Sequence, residues 1–540
     1  MHHPPEVLCQ IFRYTVGGSG IKRLLPLLHV CYQWRRSALG DSSLWTTIYL
    51  SDITPPLLDM ILTYARERVF RVHVDHPDLN RGAKLWKLVD RIEELDCSCG
   101  THYLYPFLSS PAPAPNLKAF RLRQCRSYNE LWRPRGLPKM FQGHLPSLRE
   151  VSLKIAVTWP IGLFKDLRSF ELGVNAEDLI SPILVLDVLR ESPLLENLHL
   201  VGRCELPDDE PPAVSLPSLR NCTLIGNGAL SLIWYMDIPA STNVVLSTSP
   251  LIGDRTEIYP FHDLCLAPHL HVLDGVSTAS FFVGFDTIKL RAQNDSGGVL
   301  SVQVYYYENV MTGLILFAVL LKNPFYESPF KFQTTKEFSL HIERGASRDD
   351  AESVFCAAMF AKFTSGTPSL EQIKLCGAPA KALSFHLLYL HKNLQDAIPF
   401  QNLQRLHIES TPLHSAKPLL EDLDMLFRRR KDLGVPLQYV DVKVNCETLI
   451  PMAEHSAFLT AWEGLVGEDV KVEYSRERVE NLPRRGLRLV AFTNVDGSED
   501  EEEGDEAGTV ESGGSDSDWE SWISGQWPKA ASEMRQTETL

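Results

Sequence analysis

Cys97-Ser98-Cys99 with His102 is a stretch whose residue types suit a metal, since thiolates and imidazole are the usual ligands of zinc. A tetrahedral site wants a second pair at defined spacing, and none follows nearby. Cys97 also fills an apolar position in a strand pattern, which makes it a buried structural thiol. Gly17-Gly18-Ser19-Gly20 beside Lys22 could offer backbone N–H groups to a phosphate. It follows a helical pattern, however, and lacks the G-x-x-x-x-G-K-[ST] spacing. A flexible linker is expected there. Glu205, Asp208, Asp209 and Glu210 are flanked by prolines, so a solvated turn is expected rather than a carboxylate site. His2 and His3 read as plain terminal residues. No G-x-S-x-G elbow or kinase-type motif set occurs. The residues thus support no catalytic, cofactor or metal site, and the chain is expected not to be an enzyme.

The elements at the N-terminus say more. Val7, Leu8, Ile11 and Phe12 share one helical face, and Pro4 and Pro5 suit a first turn, where amide hydrogens are unpaired anyway. Leu27, Val30, Cys31, Trp34 and Ala38 fall at 0, 3, 4, 7 and 11, a second helical stripe. Some forty residues in two or three helices cannot bury so much apolar surface alone. A partner is expected to cover part of it.

The P-P-E-V-L-x-x-I-F start, the V-C-x-x-W-R-R-x-A-L segment and the closing L-W at Leu44-Trp45 resemble an F-box, in the form common in large fungal families. The resemblance spans residues 3 to 46. It implies docking onto the small Skp adaptor of a Skp–cullin–F-box ubiquitin ligase, and through it onto a cullin. By the same resemblance Pro5, Val7, Leu8, Ile11, Phe12, Val30, Cys31 and Trp34 are the docking and helix-core residues. The family usually has Leu before the first Pro, where this chain has His3. That departure implies either a weaker docking edge or a chain that begins late. Ubiquitin chemistry would fall to other subunits, leaving this chain to hold a substrate in place.

Beyond residue 65 a pattern L-x-x-Φ-x-Φ returns. Strong copies are Leu117/Phe120/Leu122, Leu148/Val151/Leu153, Leu167/Phe170/Leu172, Leu195/Leu198/Leu200, Leu219/Cys222/Leu224, Leu370/Ile373/Leu375, Leu403/Leu406/Ile408 and Leu437/Val440/Val442. Weaker ones are Val69/Val72/Val74, Ile92/Leu95/Cys97 and Phe285/Ile288/Leu290. The alternation of the last two positions is that of a strand with one buried face. Cys125, Asn175, Asn227 and Asn445 stand eight residues after the first Leu, where they could satisfy the turn leaving the strand. Helical stretches such as Leu184 to Glu191 and Leu383 to Lys392 lie between copies. A strand with a returning helix resembles a leucine-rich repeat. Strand patterns at Leu300/Val302/Val304 and Phe338/Leu340/Ile342 fill the long gap before Leu370. The expected fold is α/β: an all-helical F-box over 1–50, then an irregular leucine-rich-repeat-like solenoid with a parallel sheet over 51–495. Its concave face would bind a protein substrate.

Composition sets the remaining limits. From Asp496 to Leu540 fourteen acidic residues oppose two basic ones, a charge of −12 out of −15 for the whole chain. The other 495 residues are therefore near neutral, and no field draws nucleic acid to them. The segment 496–540 is expected to be an acidic disordered tail, carrying Trp519, Trp522 and Trp527 as a candidate binding motif. Ser498, Ser515 and Ser517 each precede an acidic residue by three, the context acidophilic kinases accept. Eleven cysteines without pairing rhythm point to a reducing cytoplasmic or nuclear setting. The longest apolar run, Met311 to Leu321, is too short for a membrane span. The competing reading is a repeat scaffold outside ubiquitination, whose first helices cap the solenoid. A hydrolase on an α/β fold would need a Ser or Cys, His and acid cluster in a deep pocket.

Overall fold

In the computed structural model, residues 3–16, 21–50, 53–75, 88–98, 105, 107–123, 136–155, 157–174, 179–204, 211–226, 229–230, 232–248, 269–284, 287–305, 334–342, 369–377, 400–410, 413–415, 417–448, 452–466 and 469–475 are described. Three helices open the chain: α1 (Pro5–Val16), α2 (Ile21–Leu28) and α3 (Tyr32–Gly40). A 3-10 turn, Ser42–Trp45, leads into a sheet that has 18 strands among the described residues. In chain order these are β1 (Thr47–Tyr49), β2 (Phe70–Val74), β3 (Ile92–Cys97), β4 (Ala119–Arg123), β5 (Glu150–Lys154) and β6 (Ser169–Gly173). Next come β7 (Asn197–Val201), β8 (Asn221–Ile225), β9 (Asn243–Thr248), β10 (Val276–Val283), β11 (Thr287–Asn294) and β12 (Val299–Tyr305). The last are β13 (Glu337–Ile342), β14 (Gln372–Gly377), β15 (Arg405–Ser410), β16 (Leu413–Ser415), β17 (Tyr439–Thr448) and β18 (Asp469–Ser475).

The Φ-x-Φ pairs build this sheet because every copy falls in the same register. Phe120 lies beside Val151, Val151 beside Phe170, Phe170 beside Leu198 and Leu198 beside Cys222. Ile373, Leu406 and Val440 continue the same row in β14, β15 and β17. All of these side chains are buried, as is the first Leu of each strong copy. That Leu sits on a tight turn: the amides of Leu148, Leu195, Leu219 and Leu403 donate to the carbonyl three residues back. The next residue then donates to the preceding copy, Arg149 to Lys118, Glu196 to Arg168 and Gln438 to Gln404, each at 2.8 or 2.9 Å. A shift of one residue would turn each core row to the other face, so the apolar pattern pins the register.

β1 to β9 stack in sequence order, each parallel to the last. The order then inverts, β9 pairing with β12, β12 with β11, β11 with β10 and β10 with β13. From β13 the parallel stack resumes through β14, β15, β17 and β18, with β16 on the far half of β17. β11 runs antiparallel to both neighbours, so Phe285/Ile288/Leu290 is no copy of the repeat. The reason is local. β11 and β12 are joined by the short Asn294–Gly298 turn, which only antiparallel strands can use. Asn294 is buried and holds that turn, donating to the Ala240 and Val272 carbonyls and accepting from the Gly298 amide at 2.9 Å.

Of the helices expected between copies, Leu184 to Glu191 falls on α5 (Pro182–Arg190), which follows α4 (Pro55–Ala65) in chain order. α6 (Lys417–Asp432) and α7 (Met452–Glu463) lie between later strands. Elsewhere the described connections are short or irregular, with buried Phe141 on a 3-10 segment (Met140–Gly143) and buried Trp159 and Phe164 outside any helix. Leu383 to Lys392, Met311 to Leu321, the segment 496–540, and Cys125, Asn175 and Asn227 lie outside the described residues. No helix among the described residues is long and apolar enough to cross a membrane.

Turns leaving the strands need glycine where strands crowd. Gly226, after β8, has φ +100°, and a Cβ there would meet the Gly202 carbonyl oxygen at 2.5 Å. Gly226→Ala is expected to destabilise the sheet by about 1–3 kcal/mol. Thermal melting followed by circular dichroism reads this directly, and an unchanged midpoint would contradict it.

Candidate functional site

α1 begins where the sequence places it, with the amides of Val7 and Leu8 donating to the Pro4 carbonyl at 3.1 Å. Its apolar residues do not all face one way. Leu8, Phe12 and Val16 are buried, whereas Val7 is 40% and Ile11 43% exposed, with Tyr14 one turn further on also in solvent. The stripe from Leu27 to Ala38 is likewise divided between two helices. α2 ends at Leu28, and Cys31, extended at φ −160°, caps α3 by accepting from the Trp34 amide through its sulfur at 3.5 Å. Arg35 donates to the Leu28 carbonyl at 2.8 Å, satisfying an acceptor that the end of α2 would orphan. Val30 lies in the connection, 56% exposed, and Tyr32 follows it, also exposed.

The eight residues singled out by the sequence therefore separate into two groups. Leu8 and Phe12 face the protein's own core, and the half-buried Trp34 packs edge-on against Phe12 with ring centroids 5.2 Å apart. Pro5, Val7, Ile11, Val30 and Cys31 remain exposed. Of the thirteen large apolar side chains exposed among the described residues, five lie between Val7 and Tyr32, an unusual density for a surface that water must solvate. A groove lined by Pro5, Cys9, Arg13, Tyr32, Gln33 and Arg36 runs beside these residues.

The helices are fixed to one another by a charged clamp that motif reading missed. Arg13 of α1 donates to Asp41 at 2.7 Å, and Asp41 accepts from both the amide and hydroxyl of Ser43, at 3.1 and 2.7 Å. Burial pushes the Asp41 carboxyl up, but the Ser43 hydrogen bonds, the Arg13 bond and its charge outweigh that and hold it below its ordinary value. Its stabilising contribution is thus full above the unfolded carboxylate pKa of about 3.9 and is lost as pH falls through the lower folded value. Asp41→Asn is expected to cost about 1–2 kcal/mol at pH 7 and to flatten the acid limb of the melting curve. A variant that melts like the wild type at both pH 7 and pH 3 would remove the clamp from the account.

The helices also continue into the sheet. Buried Trp45 donates from its indole nitrogen to the Ala38 carbonyl at 2.9 Å and packs on Tyr64 of α4 with centroids 5.0 Å apart. Three residues later Ile48, on β1, begins the core row by lying beside Val72 of β2.

The other face of the sheet carries charge in matched rows. Arg121 bridges Glu94 and Glu150 at 3.2 and 3.1 Å, Arg123 meets Asp96 at 3.2 Å, and Lys154 meets Glu171 at 2.8 Å. Burial raises the Asp96 and Glu171 carboxyls, but His73 and the Arg123 and Arg121 charges beside Asp96, and hydrogen bonds from Lys154 and Ser152 to Glu171, outweigh it, leaving both below their usual values. The charges of this face thus pair with one another across neighbouring strands.

No curated protein and no solved structure shows significant similarity to this chain. The model of the F-box-like family matches residues 4–51, the stretch that holds α1, α2, α3, the Asp41 clamp and β1. The chain therefore carries an F-box-like domain at its N-terminus, followed by a large, mostly parallel sheet.

Proposed function

We propose that this chain is the substrate-recognition subunit of a Skp–cullin–F-box ubiquitin ligase. Its helices dock the Skp adaptor, the adaptor links it to a cullin, and the leucine-rich-repeat-like sheet holds a protein substrate. The observation that carries this reading is the F-box-like match over residues 4–51 together with exposed Val7, Ile11 and Val30 inside it. Those side chains supply the apolar centre an interface needs, and Pro5 and Cys31 lie at its margin. Leu8, Phe12 and Trp34 act from behind by setting the helix angles. The chain's own part in ubiquitination is positioning, which raises the effective concentration of the substrate at the loaded ligase.

The scaffold reading has one observation in its favour, the continuous core from Trp45 into β1. That core makes the helices a support for the sheet. It gives no reason for Val7, Ile11 and Val30 to stand in water. The test is co-expression of the full chain with its host's Skp adaptor and cullin. A complex containing all three is expected; a chain that elutes alone at micromolar concentration would reject the proposal.

A further inference from the structure

Three strands near the end of the sheet bring together side chains that sequence distance hides. Cys376 on β14 lies beside Glu409 on β15, and His407, two residues before Glu409, lies beside Asp441 on β17. The alternation of the strands puts all four on the face opposite the core rows of Leu375, Ile408 and Val442. One donor atom each from Cys376, His407 and Glu409 lie within 4.8 Å of one another. Cys376 is buried, and the His407 and Asp441 side chains are more than four-fifths buried.

His407 is the informative member. Its Nδ1 lies 2.8 Å from Asp441 Oδ2, which fixes the imidazole plane and its tautomer. Its Nε2 is buried and has no hydrogen-bond partner among the described residues. Glu409 lies on that side, but its Oε2 is 3.9 Å away, beyond hydrogen-bonding distance. A desolvated imidazole nitrogen without a donor is costly unless something fills it. A carboxylate behind the ring, with the far nitrogen left open, is the arrangement of metal-bound histidine.

We propose that Cys376, His407 and Glu409 form a binding site for a divalent ion of zinc's chemistry, with Asp441 as the positioning residue behind His407. Thiolate, imidazole and carboxylate together select zinc over calcium or magnesium, which take oxygen ligands. In a tetrahedral zinc site donor atoms stand about 3.3–3.5 Å apart, as bond lengths of about 2.0–2.3 Å dictate. The Glu409 side chain is half-exposed and free to swing the small distance required. Binding exchanges the thiol proton for the metal: the S–H bond breaks, the proton leaves to solvent, and sulfur keeps the electron pair for the metal. Three protein ligands leave the fourth position for water or for a side chain of a bound partner.

A nucleophile–base–acid reading of Cys376, His407 and Asp441 requires a hydrogen bond between the thiol and His407 Nε2, and Nε2 makes none among the described residues. The metal reading is independent of adaptor docking and stands whether or not a ligase complex forms.

The experiment is titration of the metal-free full chain with Co²⁺ and then Zn²⁺. The wild type is expected to show a sulfur-to-cobalt charge-transfer band, displaced by one equivalent of Zn²⁺ and diminished by that amount in Cys376→Ser. Asp441→Asn should weaken Zn²⁺ binding about 10–100-fold without changing stoichiometry. Glu409→Gln alters an exposed side chain with little risk to folding and should weaken binding at least tenfold. In the unaltered protein, Zn²⁺ should also slow alkylation of Cys376 as read by peptide mass spectrometry. Equal Zn²⁺ affinity in wild type and Glu409→Gln, with Cys376 alkylated equally fast with and without Zn²⁺, would overturn the proposal.

Discussion

Ile11→Arg is expected to weaken Skp adaptor binding by at least a hundredfold, about 3 kcal/mol, while leaving the melting temperature within a degree or two of wild type. Ile11 is exposed, so the free chain tolerates the guanidinium in water. The complex does not, because the charge would be buried against an apolar surface with nothing to pair it. Val30→Arg should act the same way from the α2–α3 connection. Leu8→Arg is a different experiment, although the sequence puts Leu8 and Ile11 on one face. Leu8 is 1% exposed and faces the chain's own core, so arginine there would unfold the helices before any partner was met. Affinity measured by titration calorimetry beside melting separates the two: Ile11→Arg moves the first, Leu8→Arg the second.

Deletion of residues 1–50 is expected to damage the sheet. The domain boundary expected from the sequence, after residue 50, puts all of the repeat region beyond such a cut. The structure places β1 inside that segment, hydrogen-bonded in register to β2 from Thr47↔Arg71 to Tyr49↔His73. Removing it uncovers Phe70, Val72 and Ile61, all buried in the intact chain. Trp45→Ala is the single-residue form of the same test. It removes a fully buried indole, its bond to Ala38 and its packing on Tyr64, and should cost about 3–5 kcal/mol. Denaturant melting of the full chain measures it. A loss under about 1 kcal/mol would mean that the helices and the sheet are energetically separate.

Much of the sheet was legible because one physical rule repeats. L-x-x-Φ-x-Φ encodes a turn followed by a half-buried strand; every strong copy forms the strand, and those at Leu117, Leu148, Leu195, Leu219 and Leu403 also close the turn. The Phe285 copy misled because an apolar alternation carries no sign of strand direction; direction is set by connection length, here the Asn294–Gly298 turn. Periodicity also ran α2 and α3 together, since Val30 and Cys31 fit the stripe while the backbone turns at Cys31.

The candidate site was legible in identity more than in role. Residue spacing found Val7, Leu8, Ile11 and Phe12, but which pair faces water depends on α2, α3 and the Trp45 junction packing behind them. The Arg13–Asp41 clamp spans 28 residues and leaves no local signal. The Cys376 cluster spans more than sixty residues, yet aligning the last three strong copies already sets Cys376 beside Glu409 and His407 beside Asp441. Comparing the polar positions between the Φ residues, as well as the Φ residues themselves, would have brought it out.

Amide hydrogen exchange of the full chain with and without its host's Skp adaptor addresses the central claim most directly. The account predicts new protection in α1, at Val30 and Cys31, and in the first turn of α3, with β2 to β9 unchanged. Protection falling on the strands while α1 and the α2–α3 connection exchange as before, or no complex at all, would contradict it.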